Sequence, residues 1–291
     1  MNLDPSYLIV NADDYGYFNC VSQGILDLAR LGIVTATGIF ANSNQFGYHI
    51  EQLHHDKSLD FGVHLNLTNQ TPLTPELRKK LARWDGCFPS KYTVIRLLLM
   101  GVISTKDVEN EWRAQIVRCV ENNLDIRFLN SHEHIHMVPA LFKVIHRLAV
   151  EHDIPHVRFP APELFHSLTA GALIRDGSMM LLKSLNSRHL TIQPLRFFGM
   201  GQSGKLSVSY LQNGLSKLLP GQIYELMCHP GYYDTNEINN LKLLDYHDWQ
   251  GEFDTLINPK IRNMFHEYNI RLIGYRHLCI QGGKLRVLDT L

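Results

Sequence analysis

The sequence predicts an α/β fold in which parallel strands and surrounding helices form a distorted (β/α) barrel. Short apolar strand segments alternate with helical segments at least six times along the 291 residues, and this alternation implies a parallel sheet covered by helices. The polar motifs of the chain follow directly after predicted strands, and barrels place their functional groups at the carboxyl ends of strands. An open, doubly wound sheet is the alternative that the alternation leaves open.

Apolar runs rich in strand-forming residues and bounded by turn residues predict eight strands. They cover residues 7–11, 35–41, 60–65, 128–130, 156–159, 195–198, 222–227 and 271–274. Apolar residues at helical spacing predict helices at 20–31, 46–53, 105–122, 139–152, 170–185, 209–218 and 259–268. We expect a single domain over residues 1–291, with loop-rich insertions near 66–103, 160–220 and 232–251.

The composition argues against several classes of function. The 28 basic and 28 acidic residues give a net charge of zero, and there is no basic run with interleaved aromatic residues, so no nucleic-acid partner is expected. No segment approaches the ~20 apolar residues that a membrane span needs. Five scattered cysteines and the absence of a secretory signal predict a reduced, cytoplasmic protein. The expected partner is a small, roughly neutral molecule such as a sugar.

Two adjacent carboxylates follow the first predicted strand. Asp13 and Asp14 stand in the segment NADDYG at residues 11–16, and holding two carboxylates together is costly unless a positive group binds there. They are candidates for metal ligation and proton transfer. The alternative is a helix N-cap whose charge complements the helix dipole.

His64, near the end of the third predicted strand, is either a functional imidazole or a core histidine bonded to the backbone.

Three histidines alternate in the segment NSHEHIH at residues 130–136. If the strand continues, His132, His134 and His136 point to one side; if the chain turns helical, His132 and His136 share a face. Either geometry can supply imidazoles to one metal ion, since neutral imidazole is a common ligand for Zn, Fe, Co and Ni. A solvated histidine turn is the alternative.

His229 follows the strand predicted at 222–227, and Pro230 and Gly231 place a turn directly after it. That turn would hold the imidazole at the rim of the barrel; otherwise His229 simply ends the strand. Cys228 precedes His229, but adjacent strand residues point to opposite faces. We therefore expect Cys228 to be a buried thiol and not a nucleophile.

These candidates come from four strand ends, which share one face in a parallel barrel. One carboxylate and two imidazoles with an open coordination position form a hydrolytic metal site. A second carboxylate and a further histidine remain as base and acid. Asn42 and Arg158 also end strands and could line the same mouth. The residues thus predict a metal-dependent hydrolase.

The order of these motifs resembles that of a known family. The segments LIVNADDYG, GIVTATGIFAN, FGVHLNLT, LNSHEHIHMVPALF and ELMCHPGYYD are similar to those of the YdjC-like carbohydrate deacetylases, which include chitooligosaccharide deacetylases. The resemblance implies a polysaccharide-deacetylase-like barrel and removal of an acetyl group from an N-acetylated sugar. It also implies a divalent metal, with Mg or Zn preferred and Co or Ni suitable. Family members are often dimers, so a homodimer is among the expected forms.

The resemblance also assigns roles to individual residues. Asp14, His64 and His132 correspond to the metal ligands, Asp13 to the base and His229 to an acid or a transition-state contact. In the mechanism that this implies, the metal activates a water molecule, Asp13 accepts its proton and His229 protonates the departing amine.

Two other readings of the motifs remain open. A glycosidase needs two carboxyls about 5–9.5 Å apart on opposite sides of a sugar, which adjacent aspartates supply poorly. A metal-dependent sugar-binding protein without catalysis is the alternative outside the enzymes. Within the histidine cluster, His136 is the reserve metal ligand and His134 a weaker candidate.

Overall fold

The computed structural model describes residues 4–54, 56, 58–162, 170–190 and 192–288, with the backbone alone at residues 170–172. Its centre is an eight-stranded parallel sheet in the order β5-β4-β3-β2-β1-β7-β6, with β8 beside the amino-terminal half of β1. A short antiparallel hairpin, β9–β10, follows. The strands are β1 (Ser6–Tyr15), β2 (Ala36–Ile39), β3 (Asp60–Leu65), β4 (Ile126–Ser131), β5 (His156–Val157), β6 (Arg196–Phe198), β7 (Ile223–Cys228), β8 (Ile270–Leu272), β9 (Leu278–Gln281) and β10 (Lys284–Val287).

Helices connect the strands and cover the outer face of the sheet. They are α1 (Asn19–Arg30), α2 (Phe46–His54), α3 (Pro75–Lys80), α4 (Lys91–Leu99), α5 (Thr105–Glu121), α6 (Pro139–Glu151), α7 (Ala170–Ser187), α8 (Val208–Leu215), α9 (Leu241–Tyr246), α10 (Trp249–Ile257) and α11 (Pro259–Glu267). None of the helices in the described part of the chain is long and apolar enough to cross a membrane.

An ion pair across the interior shows that the sheet is curled. Arg158 follows β5, which is four strands from β1 in the pairing order, and a flat sheet would place those strands about 19 Å apart. Yet Nη1 of Arg158 lies 2.5 Å from Oδ2 of Asp13 on β1, and its Nε lies 2.6 Å from Oε1 of Glu225 on β7. The predicted distorted barrel is confirmed, although no backbone pairing joins β5 to β6 among the described strands.

The interior of the barrel changes from apolar to polar along the strands. Ile9 and Phe128 belong to a buried cluster at the amino-terminal end of the sheet. Because alternate strand residues share a face, Asn11 and Asp13 follow Ile9 on the inner side, and Asn130 follows Phe128. This alternation delivers the polar side chains to the carboxyl ends of the strands, while the residues between them pack under the helices.

Most predicted elements are present, with boundaries that differ by a few residues. The helix expected after Ser104 begins with a capping box, in which Ser104 Oγ accepts from the Asp107 N–H and the Asp107 carboxylate accepts from the Ser104 N–H. Two structured segments were not expected. The loop-rich region 232–251 contains α9 and the start of α10, and the β9–β10 hairpin follows β8.

Gly62 on β3 is a position where the packing of the sheet can be tested. A Cβ atom at this site would lie 2.5 Å from the ring of Phe128, which is fully buried and stacked on Tyr275. Gly62→Ala should therefore lower the free energy of unfolding by about 1–3 kcal/mol, measured by chemical denaturation.

Gly47 on α2 provides the matched control, because a Cβ there meets nothing within 4 Å. Gly47→Ala should be neutral or stabilise the protein by about 0.5–1 kcal/mol. Equal effects of the two substitutions would contradict the packing described for β3 and β4.

Candidate metal centre and active site

A β-bulge aims both aspartates into the barrel. The register between β1 and β2 runs from Ala12↔Thr37 to Tyr15↔Ile39, so β1 contains one extra residue at this point. Asp14 lies in the left-handed region with φ +72°, which a non-glycine residue adopts only at a cost and which aspartate tolerates better than most. In a regular strand Asp13 and Asp14 would point to opposite faces; the bulge lets both side chains reach the interior.

Asp14, His64 and His132 form a compact buried group. Oδ1 of Asp14 lies 3.0 Å from Nδ1 of His132 and 3.3 Å from Nε2 of His64. One potential ligand atom from each residue lies within 4.8 Å of the other two, the only such group found among the described residues. The three ligands inferred from the resemblance are thus brought together from β1, β3 and the turn after β4.

Asn130 determines which nitrogen of His64 is free. Its Nδ2 donates to Oδ1 of Asp13 at 2.9 Å, so its Oδ1 faces His64 Nδ1 at 2.7 Å and accepts a hydrogen bond from it. His64 Nε2 then keeps its lone pair and faces the Asp14 carboxylate. Gly38 leaves room for this arrangement, since a Cβ there would lie 3.1 Å from both His64 Cβ and Asn130 Oδ1.

This arrangement fits a cation. A buried lone pair facing a carboxylate oxygen is unfavourable unless a positive charge lies between them. The other oxygen of Asp14, Oδ2, is buried without a hydrogen-bond partner among the described residues. Burial raises the pKa of Asp14, but the charge and the hydrogen bond of the adjacent His132 outweigh it and hold that pKa well below its usual value. Burial opposes a charged His132, yet Asp14 raises the pKa of that imidazole above its ordinary value.

Asp13 is held by four hydrogen bonds. Its Oδ1 accepts from Asn11 Nδ2 at 2.7 Å, Asn130 Nδ2 at 2.9 Å and Arg158 Nη2 at 3.0 Å. Its Oδ2 accepts from Arg158 Nη1. Burial alone would raise the pKa of Asp13, but the charge of Arg158 and the hydrogen bonds from it lower that pKa to about 2. The side chain is therefore a carboxylate at neutral pH.

His229 lies directly after β7 in a cluster of aromatic rings. Its backbone N–H donates to Glu252 Oε2 at 2.6 Å. Its ring centroid is 5.1 Å from that of His247, which stacks on Trp249 at 4.7 Å. Nδ1 of His229 is buried and has no hydrogen-bond partner in the described part of the chain. Burial lowers the pKa of His229, and the charge of Asp14 partly offsets this.

The remaining histidines of the cluster lie outside the Asp14–His64–His132 group. Both ring nitrogens of His136 are engaged: Nδ1 lies 2.5 Å from Ser131 Oγ, and Nε2 lies 3.1 Å from the carbonyl oxygen of Arg158. His136 thereby joins the turn after β4 to the end of β5. The ring of His134 lies 6.2 Å from that of Phe197.

Cys228 is fully buried, as expected, and burial raises the pKa of its thiol.

For several residues of the site the sequence pattern predicted no role or only a minor one; they are Asn130, Arg158, His247 and Glu252. Strand alternation could have placed Asn130 beside Asp13, because both follow apolar residues on the inner face. Arg158 was noted only as a residue at a strand end, and nothing in the sequence indicated that it crosses the barrel. His247 and Glu252 lie in or beside the region 232–251, which carried no clear pattern.

The chain is similar in sequence and in fold to known proteins. The chain is 25% identical over 273 residues to a carbohydrate deacetylase of Clostridium beijerinckii, covering 93% of this chain and 99% of that protein. It is 31% identical over 227 residues to one of Halalkalibacterium halodurans, covering 78% and 86%. A solved structure from Enterococcus faecalis, named for a proposed role in cellobiose-phosphate cleavage, shares the fold with a TM-score of 0.68 at 22% identity, covering 94% of this chain and 98% of that one. The family model described as YdjC-like protein matches residues 7–267, and the chain belongs to the YdjC-like family.

Proposed function

We propose that this protein is a metal-dependent hydrolase that removes the acetyl group from an N-acetylated sugar. A chitooligosaccharide-like or related N-acetylglucosamine-containing molecule is the proposed substrate. The single observation that carries the proposal is the buried group of Asp14, His64 and His132, in which the ligand atoms converge and one lone pair faces a carboxylate. The names of the curated relatives support deacetylation of a carbohydrate as the reaction.

Asp14, His64 and His132 would hold the metal. A set of one carboxylate and two imidazoles suits Zn, Co or Ni, and Mg with additional water ligands. When bound, a divalent ion would supply Lewis-acid activation of water and of the acetamide carbonyl. The hydrogen bond that His64 Nδ1 donates to Asn130 Oδ1 and the contact between His132 Nδ1 and Asp14 Oδ1 would orient these ligands before a metal binds.

Asp13 is the proposed general base. It stands next to a metal ligand in sequence and remains ionised, and the second lone pair of its Oδ2 is the position that its four hydrogen bonds leave for a proton. A pKa near 2 counts against easy proton acceptance, since a general base works best with a pKa near the working pH. The same contact with Arg158 fixes the carboxylate in one orientation, which favours the transfer.

His229 is the proposed general acid. Expulsion of an amine needs a proton donor on the leaving-group side, and His229 ends a strand at the same rim as the two aspartates. Its buried Nδ1 has no partner in the described residues, so that atom is available for substrate. The lowered pKa of His229 makes its protonated form a stronger donor but a less abundant one at neutral pH.

Two assays run together test the proposal against its alternatives. A deacetylase predicts stoichiometric metal and acetate release from chitobiose. A sugar-binding protein without catalysis predicts bound metal and no acetate. A glycosidase predicts cleavage of the glycosidic bond, for which Asp13 is poorly suited as an acid because its pKa lies near 2.

Removal of each proposed ligand should abolish metal binding. Asp14→Ala, His64→Ala and His132→Ala should each lose metal and turnover while the far-ultraviolet circular dichroism spectrum stays native-like. His136→Gln is the comparison within the same motif, and it should retain metal because both nitrogens of His136 are engaged elsewhere. Full metal stoichiometry in any of the three alanine variants would remove that residue from the ligand set.

Replacement of the proposed base should separate metal binding from turnover. Asp13→Asn should keep the metal and lose about 10²–10⁴-fold in kcat, because an amide cannot accept the proton. Metal content and unfolding midpoint should be measured on the same sample, since the substitution also removes one partner of Arg158. Loss of metal with a native fold would show that the two aspartates have exchanged roles.

Replacement of the proposed acid should affect amide and ester substrates differently. His229→Ala should lower kcat on the acetamide by roughly 10²-fold or more with metal content unchanged. The loss should be smaller for an acetyl ester of similar shape, because an alkoxide leaves with less help from an acid. An equal loss on both substrates would assign His229 to binding or to oxyanion stabilisation.

A further inference from the structure

The loop after β3 reaches the metal-ligand candidate His132 through one side chain. Nδ2 of Asn69 lies 3.0 Å from Nε2 of His132, on the side of the ring opposite the nitrogen that faces Asp14. We propose that Asn69 is a positioning residue for His132, which fixes the orientation of the imidazole and the nitrogen that it offers to a metal. The inference rests on the proposed function, since it takes His132 as a metal ligand.

The backbone of Asn69 is fixed by side chains on both sides. Its N–H donates to Asn66 Oδ1 at 3.2 Å. Its carbonyl oxygen accepts from Asn66 Nδ2 at 2.6 Å and from Asn42 Nδ2 at 3.2 Å. Three hydrogen bonds therefore hold the main chain of one loop residue, so the direction in which its side chain leaves the loop is well defined.

A buried network on α5 holds Asn66 in turn. Gln115 accepts from the Asn66 N–H at 2.8 Å and donates to the Asn66 carbonyl at 2.9 Å, and it also donates to Glu111 at 2.9 Å. The Glu111 carboxylate accepts from the Leu73 N–H and from the N–H and hydroxyl of Thr74. The side chains of Glu111 and Gln115 thus clamp both ends of the loop 66–74.

The polarity of this clamp indicates that the exact loop conformation matters. Glu111, Gln115 and Asn66 are completely buried. Burying a carboxylate and two amides costs free energy even when they are hydrogen-bonded, and apolar side chains could fill the same space at lower cost. The network specifies one loop geometry, and that geometry brings Asn69 to His132.

An amide suits this position because it can serve both protonation patterns of the ring. His132 Nδ1 can bind a metal only when it carries no proton, and neutral imidazole then has its proton on Nε2. The side-chain oxygen of Asn69 accepts a hydrogen bond from that Nε2–H after the amide group turns over, whereas its NH2 group donates to Nε2 when the proton is on Nδ1. Leucine, which is similar in size, can satisfy neither state.

The test is the affinity for Zn²⁺ alone, measured by competition with a chromogenic chelator at pH 8. Asn69→Leu should weaken binding by about 10–100-fold. Asn69→Asp should bind at least as tightly as the wild type, because a carboxylate that accepts the Nε2 proton raises the basicity of the ring. Thr71 lies in the same loop, and its side chain contacts Cys87; Thr71→Val and Thr71→Asp control for packing and for added charge, and both should bind as the wild type does.

The outcomes separate this inference from the proposed function. If His132→Ala binds Zn²⁺ as the wild type does, the assignment of His132 as a ligand fails. If His132→Ala loses Zn²⁺ but Asn69→Leu does not, only the role of Asn69 is wrong. If Asn69→Leu and Asn69→Asp weaken Zn²⁺ binding equally, Asn69 only packs the loop. If Thr71→Asp binds Zn²⁺ more tightly than the wild type, added charge alone explains the effect of Asn69→Asp, and a hydrogen bond to His132 does not.

Discussion

The buried guanidinium of Arg158 lies between two carboxylates, Asp13 and Glu225, that belong to strands on the other side of the barrel. Its side chain is completely inaccessible, and an isolated charge at that depth would be prohibitively unstable. The ionised Asp13 balances this charge, Glu225 accepts a further hydrogen bond from Nε of Arg158, and Arg158 holds the pKa of Asp13 to about 2 despite the opposing effect of burial. Removing one member of such a group typically costs about 3–5 kcal/mol, so the curled sheet and this interaction depend on each other.

A chain of hydrogen bonds connects Arg158 to the proposed metal ligands. Asp13 is fixed by Arg158, Asn130 donates to Asp13, and the remaining oxygen of Asn130 accepts from His64. The lone pair of His64 that faces Asp14 is therefore set by a chain of contacts that begins at the far side of the barrel. From the other direction, the α5 network fixes the loop next to His132. Two independent sets of buried polar contacts thus converge on one small group of atoms.

Backbone strain is concentrated around the same group. Asp14, Glu133 and His134 all have φ between +52° and +72°, a region that costs free energy for residues with a side chain. The first of these conformations aims the two aspartates inward, and the other two turn the chain directly after His132. The strain is maintained by its surroundings, including the contacts of His136 with Ser131 and with the end of β5.

The sequence predicted the parts of this structure that follow from local pattern. Strand runs such as 60–65 and the Ser104 cap depend on neighbouring residues and could be anticipated, as could the position of the candidate side chains at strand ends. The choice of Asp14, His64 and His132 from those candidates came from the family resemblance. Contacts across the barrel, such as that of Arg158, depend on how far the sheet curls, and periodicity does not report curvature. The α10 helix was missed because its apolar residues are interrupted by Glu252, whose burial reflects a tertiary contact with the His229 N–H.

Buried contacts on both sides should preorganise Asp14, His64 and His132 for one shared cation. Anomalous X-ray scattering from crystals grown with Zn²⁺ tests it most directly, using data collected on both sides of the zinc absorption edge. We expect a strong anomalous peak bonded to Asp14, to Nε2 of His64 and to Nδ1 of His132 at about 2.0–2.2 Å, with the Asn130–His64 contact unchanged. A peak held by other residues, or no peak at this group in crystals that contain stoichiometric zinc, would contradict it.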